Sequence, residues 1–417
     1  MEVESHLDAM KSSSLPETTL VPGSVPLSLG AFLGGHKRNP CILDKARIVY
    51  LTSGRMAIAQ ALIQNDIGDG DEVLVPAYHC SSMIAPVSHS GAKAVFYRIQ
   101  PDMSVNLDDI KQKLSGKTRL LLVAHYFGFP QPLHALREFC DQNKIILLED
   151  CAHALFSSYQ GEPLGSVGDY AAGSLMKFFP VNDGGILVAN GSHQLKVHTE
   201  PGGREFELRI ALNTLEKSFI YNRLKVLEIL LWIPLKVKNL VWRWLKSQRG
   251  DNHSENSPAA SDGGFDFQPK WINTRISSFS LRISRLVSST HIVDRRVQNY
   301  RWLSDALSIL PNSQRLFPEL PEGVVPYVFP LIVEQVDPAF VNLRRRGVPL
   351  MRWEFLDDGV NNNTCETSCY YSRHLIQVPC HQELRQDELE WMVDNIRQEL
   401  STRNRINESN QAASQHN

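Results

Sequence analysis

Residues 145–153 read Ile145-Ile146-Leu147-Leu148-Glu149-Asp150-Cys151-Ala152-His153: four apolar residues, two carboxylates, two small residues and a histidine. A short unbroken apolar run suits a strand buried on both faces, as in a parallel sheet covered by helices. Residues at the C-terminal end of such a strand face the crevice where α/β proteins bind ligands. Asp150 is therefore placed to pair with a protonated ring nitrogen, with a helix-capping carboxylate as the alternative.

Working outward, the same pattern recurs from about 45 to 190. Apolar runs at Arg47–Leu51, Glu72–Val75, Ala94–Ile99, Arg119–Ala124 and Gly185–Ala189 alternate with helical stretches. The helices are expected at Arg55–Gln64, Ser81–Ser90, Leu107–Leu114 and Pro132–Gln142. This alternation predicts an α/β, three-layer large domain around a mostly parallel sheet. Residues 1–44 read as a loosely packed arm, and 45–265 as the large domain. Residues 192–247 read as mainly helical, with 218–249 as a Trp/Lys-rich insertion and 247–264 as a flexible loop. Residues 266–404 are expected to hold a long helix from about Asn273 to Leu310, a helix near Pro338–Arg346 and a small α+β domain. A last helix opens near Gln386 and runs to about Arg403, leaving 405–417 as a disordered tail.

Composition narrows the function. Apolar content of 42%, charged content of 21% and a net charge of −2 fit a globular chain and offer no global attraction to nucleic acid. Seven scattered cysteines do not make a disulfide framework and suggest a reducing compartment. The polar, acidic N-terminus is unlike a signal peptide, so a cytoplasmic protein is expected.

Two further segments carry chemistry. In Leu51-Thr52-Ser53-Gly54-Arg55, a strand enters a helix through Ser-Gly, and the first helical N–H groups suit a phosphate. In Gly173-Ser174-Leu175-Met176-Lys177-Phe178-Phe179, a lysine sits among apolar side chains. Partial desolvation lowers an amine's pKa and makes it a better nucleophile; a snorkelling lysine with a wet ammonium is the alternative.

Taken together with His-Tyr-Phe-Gly-Phe-Pro at 125–130, Gly165-Ser166-Val167-Gly168-Asp169, Gly184-Gly185 and Asn273-x-Arg275, these segments resemble the DegT/StrS family of sugar aminotransferases. That family lies within the aspartate-aminotransferase-like, fold type I pyridoxal-phosphate enzymes, and the resemblance runs from about Ile48 to Ile396. It implies pyridoxal 5'-phosphate as cofactor, held by Lys177, with Lys177 later moving a proton between substrate and cofactor. Asp150 would keep the ring nitrogen protonated. Ser53, Gly54, Arg55 and Ser174 would bind the phosphate, and Asn273 would reach it from a second subunit of a homodimer. His153 would lie beside the ring. Of the loop Ala77-Tyr78-His79-Cys80-Ser81, His79 is the residue expected to stack on the ring, with Tyr78 as the alternative. The implied reaction moves an amino group from an amino acid, glutamate for preference, to a keto-sugar nucleotide in polysaccharide or secondary-metabolite synthesis. A non-sugar amine or keto acid, and a non-catalytic cofactor-binding regulator, are the rival readings.

Three other features have competing explanations. The stretch 218–249 mixes tryptophan with basic residues, which suits either an acidic membrane surface or a helical hairpin packed on the large domain. Cys365, Cys369, His374, Cys380 and His381 lack the spacing of a zinc site, so no metal is expected. Trp353 is a candidate for substrate contact or for core packing.

Overall fold

The computed structural model describes residues 20–33, 40–229, 267–334 and 336–414. A seven-stranded sheet forms the centre. Its strands are β1 (Ile48–Leu51), β2 (Glu72–Pro76), β3 (Lys93–Tyr97), β4 (Thr118–Ala124), β5 (Ile146–Asp150), β6 (Tyr170–Ser174) and β7 (Gly185–Ala189). They lie in the order β1-β7-β6-β5-β4-β2-β3, and only β7 runs antiparallel to its neighbours. The sequence runs predicted all of these except β6. Its Tyr-Ala-Ala-Gly-Ser carries little β preference, and burial between β5 and β7 makes it a strand despite that.

Helices α1 (Gly54–Ile63), α2 (Ser81–Ser90), α3 (Leu107–Lys113) and α4 (Leu133–Asn143) alternate with these strands. Leu120 to Val123 on β4 and Leu147 and Leu148 on β5 are fully buried, as strands covered on both faces must be. Because β1, β4, β5 and β6 are parallel, their C-terminal ends bring Ser53, His125, Asp150 and Ser174 to one edge. Gly185 on β7 tightens that edge: a Cβ there would stand 2.0 Å from the Ser53 carbonyl oxygen, so only glycine lets the turn after β1 lie against the sheet.

Beyond the large sheet lie α5 (Gly203–Ile220), α6 (Ser278–Leu286) and α7 (Ser289–Ala306). A three-stranded antiparallel sheet follows, of β8 (Ser313–Arg315), β9 (Val328–Val333) and β10 (Leu375–Pro379). With it come α8 (Val336–Arg345), α9 (Asn362–His374) and α10 (Gln386–Ser414).

Several expectations are corrected. The long helix from Asn273 to Leu310 is two helices: Val287 and Ser288 are extended, and the Ser288 hydroxyl accepts from the His291 N–H to start α7. Asn273 itself precedes both, in a turn. Residues 192–202 are not helical; the Pro201-Gly202-Gly203 stretch delays the start of α5. The last helix continues to Ser414, through the residues expected to be a disordered tail, since its sequence holds neither proline nor glycine. The arm is not loosely packed where it is described: Val21, Val25, Leu27, Ala31 and Ile42 are buried. Their irregular spacing gave no periodic signal. The Trp/Lys-rich insertion beyond residue 229, and all of the expected loop 247–264, lie outside the described residues. Among the described residues no helix is long and apolar enough to cross a membrane.

Candidate active site

A cavity at the C-terminal edge of the large sheet is lined by Ser53, Gly54 and Arg55 from the turn into α1, Asp150 and His153 beyond β5, Ser174 and Lys177 after β6, and Trp353. Seven of the nine residues expected at a cofactor site therefore meet in one place.

The α1 end has the chemistry of an anion site. Ser53 precedes the helix with an extended backbone, and its carbonyl accepts from the Met56 and Ala57 N–H groups, so the turn presents the helix N-terminus to the cavity. The Ser53 and Ser174 hydroxyls are buried and without a hydrogen-bond partner. Two buried hydroxyls left unsatisfied beside a helix N-terminus and a buried Arg55 fit a phosphate group.

Asp150 lies at the other side. One carboxylate oxygen accepts from the Ala152 N–H at 2.9 Å. Burial raises its pKa, and the Lys177 ammonium opposes that rise. A carboxylate so desolvated gains from a cationic partner, which the protonated nitrogen of a pyridine ring supplies. His153 is neutral: burial, and then the Lys177 charge, push its pKa well down, and its Nδ1 accepts from the Phe127 N–H at 3.3 Å. Its ring stacks on Tyr327 at 4.4 Å. Lys177 is half-buried, with Nζ 5.3 Å from the centre of the Tyr327 ring.

The edge is braced by Glu149. Its carboxylate accepts from the backbone N–H groups of Gly165, Val167 and Gly168 and from His125 Nε2, all at 2.6 to 2.9 Å. Burial would raise its pKa, but these donors win and hold it low. His125, Glu149 and Cys151 place ligand atoms within 4.8 Å of one another. The Glu149 oxygens already accept these four bonds and His125 Nδ1 accepts from the Gln131 N–H, so the cluster is a structural brace.

Two expected residues lie elsewhere. His79 does not face the cavity: its ring stacks on Phe96 at 5.1 Å, Nδ1 donates toward the Ala77 and Pro76 carbonyls, and Nε2 accepts from the Asp357 N–H at 3.0 Å. The two carbonyls turn the ring inward, which residue order alone does not reveal. Asn273 is exposed and its side-chain oxygen accepts from Gln60 Nε2 at 2.7 Å. Tyr78 is buried behind the cavity against Trp353.

Arg296 was not anticipated. It is fully buried, and donates to Gln382 Oε1 and to the carbonyls of Pro326, Tyr327 and Lys177. Nothing in a helix-interior arginine distinguishes it before the fold is known. A second cavity adjoins the first at Lys177, lined also by Asn182, Asn213, Glu216, Lys217, Tyr221 and His381.

Known proteins resemble this chain in sequence and in fold. Residues 42–199 match the model of the DegT/DnrJ/EryC1/StrS aminotransferase family. A dTDP-4-dehydro-2,3,6-trideoxy-D-glucose 4-aminotransferase of Saccharopolyspora spinosa is 33% identical over 150 residues, 35% of this chain and 39% of that protein. A GDP-perosamine synthase of Vibrio cholerae is 30% identical over 143 residues, 34% of this chain and 39% of that one. The match thus spans about two fifths of each relative's length. A solved structure of a putative sugar aminotransferase from Streptococcus pneumoniae superposes with a TM-score of 0.62 at 16% identity, covering 96% of both chains. The fold is the one these aminotransferases share.

Proposed function

We propose, from the match of residues 42–199 to the model of the DegT/DnrJ/EryC1/StrS aminotransferase family, that the chain is a pyridoxal-phosphate-dependent aminotransferase acting on a keto-sugar nucleotide. The observation that carries this reading is the meeting of Ser53, Arg55, Asp150, Ser174 and Lys177 around one cavity, with two buried hydroxyls unsatisfied.

When bound, pyridoxal phosphate supplies an electron sink for a carbanion at the substrate carbon. This chain's residues do the rest. Ser53, Gly54, Arg55 and Ser174 hold the phosphate; Asp150 keeps a proton on the ring nitrogen by giving it a desolvated counter-charge. Lys177 carries the cofactor, then moves a proton to and from the reacting carbon, a task its partly desolvated amine suits. The second cavity shares Lys177 and offers amide and hydroxyl groups from Asn182, Asn213 and Tyr221, the chemistry that recognises a polyhydroxylated acceptor. Glutamate is the proposed amino donor. The exposed Asn273 would serve a second copy in a homodimer, and the cytoplasm is the proposed compartment.

One observation favours a second reading, an acceptor without a diphosphate. The Arg296 guanidinium on that cavity's wall is already spent on Gln382 and three carbonyls, leaving Lys217 as the other basic residue beside Lys177 in the described lining.

Visible absorbance with added pyridoxal phosphate tests the core of the proposal. A band that glutamate bleaches, that borohydride fixes to Lys177 and that Lys177→Ala abolishes is the expected result. No band, or fixation on another lysine, would overturn it. Keto-sugar nucleotides screened against non-nucleotide keto-cyclitols then separate the two acceptor classes.

A further inference from the structure

The loop after β2 lends the cavity no aromatic ring. Cys80 is its contribution to the wall, beside Ser82 and Met83 of α2, while Tyr78 is buried behind and His79 is turned onto Phe96. The rings of His125, Tyr126 and His153 line the cavity from the large sheet, and one more aromatic ring comes from the far end of the chain. Trp353 lines the same cavity as Ser53, Asp150 and Lys177, with its ring centre 5.4 Å from that of His153 and 5.2 Å from that of Tyr78.

Three attachments fix this indole. Two residues before it, Met351 exchanges backbone hydrogen bonds of 3.1 and 2.8 Å with Gln377 on β10. Next to it, Arg352 pairs with Asp337 and Glu354 and lies 5.1 Å over the Phe340 ring. Four residues after it, the Asp357 N–H is held by His79 Nε2. His79, expected to meet the cofactor, thus ties down the segment that carries Trp353. An indole fixed on both sides, beside a phosphate cradle and a counter-charge for a ring nitrogen, is pre-organised for a flat cationic heteroaromatic ring.

We propose that Trp353 is a cofactor-contacting residue whose indole supplies the surface against which the pyridoxal-phosphate ring packs, the role that the 77–81 loop leaves vacant. The inference rests on the cofactor reading given under Proposed function. It makes cofactor affinity depend on a segment anchored to the smaller sheet.

The test titrates pyridoxal phosphate into the full chain, freed of cofactor, and reads both visible absorbance and quenching of tryptophan emission. Trp353→Ala should weaken binding by about tenfold or more, and Trp353→Phe by less than about threefold, in keeping with the size of aromatic stacking contributions. Trp353→Phe should also remove a share of the emission that the cofactor quenches in the wild type. Cys80→Phe added to Trp353→Ala should recover part of the affinity, and with Trp353→Phe it keeps the test decisive if Trp353→Ala does not fold. Unchanged affinity in both single variants, or unchanged quenching in Trp353→Phe, would overturn the assignment while leaving the cofactor reading intact. A wild-type chain that binds no pyridoxal phosphate would overturn both.

Discussion

Arg296 donates through Nη2 to the backbone carbonyl of Lys177 at 2.7 Å, from a side chain with no exposed surface. Burial pushes the guanidinium pKa down to about 10, so it stays charged at neutral pH. It also lies 4.4 Å over the Phe178 ring. One cation therefore fixes the backbone of the proposed cofactor lysine against α7 and the Pro326–Tyr327 segment that enters β9. Arg296→Met should destabilise the chain by about 3 kcal/mol or more, because three carbonyls and Gln382 lose a charged donor in a site closed to water. Chemical denaturation measures the loss; an effect under about 1 kcal/mol would mean that water reaches those carbonyls.

Ser53→Ala and Ser174→Ala should move stability and affinity in opposite senses. Each removes a buried hydroxyl that has no partner in the protein. The cofactor-free chain should be unchanged or more stable by up to about 1 kcal/mol, while pyridoxal phosphate binds about tenfold more weakly. Thermal melts and a cofactor titration on the same samples decide it. Loss of stability without cofactor would show that the hydroxyls serve the fold instead.

His381 gives stability a dependence on acid. Its Nε2 donates to the Pro22 carbonyl at 2.9 Å, its Nδ1 has no partner, and burial, together with the Arg296 charge, holds its pKa well below the ordinary value of 6.5. The unfolded chain takes up a proton at this position below pH 6.5 that the folded chain refuses. Stability from this group is therefore complete above pH 6.5 and is lost as pH falls toward the folded value, by up to about 1.4 kcal/mol per pH unit. His381→Asn keeps a donor for Pro22 and removes the titration. Unfolding free energy measured from pH 7 to 5 should fall less steeply in that variant; parallel curves would count against the argument.

What the residues disclosed, and what they did not, divides along a physical line. Ser53 and Asp150 lie at the ends of apolar runs in sequence, so local pattern was enough to place them at one edge of a sheet, whereas Lys177 follows β6, a strand that the pattern does not show. The direction of a side chain leaving a loop is set by contacts the pattern does not contain. His79 turns inward because the Pro76 and Ala77 carbonyls and the Asp357 N–H hold it there. Arg296 reaches the site from a segment far along the chain, and only the packed fold reveals it; for Trp353, a candidate for substrate contact or core packing, the packed fold supplies the place on the cavity wall. The split between α6 and α7 was missed for a smaller reason: Ser288 reads as a tolerated helix residue until its hydroxyl is seen capping the next turn.

The distances along the chain between these partners set an order of events during synthesis. The edge strand β1 has to wait for β7 before it has a neighbour in the sheet, and the Pro22 carbonyl meets His381 across 359 residues. At about 5–20 residues per second, the ribosome needs tens of seconds between delivering Ser53 and delivering Trp353. Until then the cavity lacks a wall, and a nascent chain has nowhere complete to hold a ligand. Cofactor capture would thus act as a late checkpoint that a truncated product, even one containing the whole large sheet, does not pass.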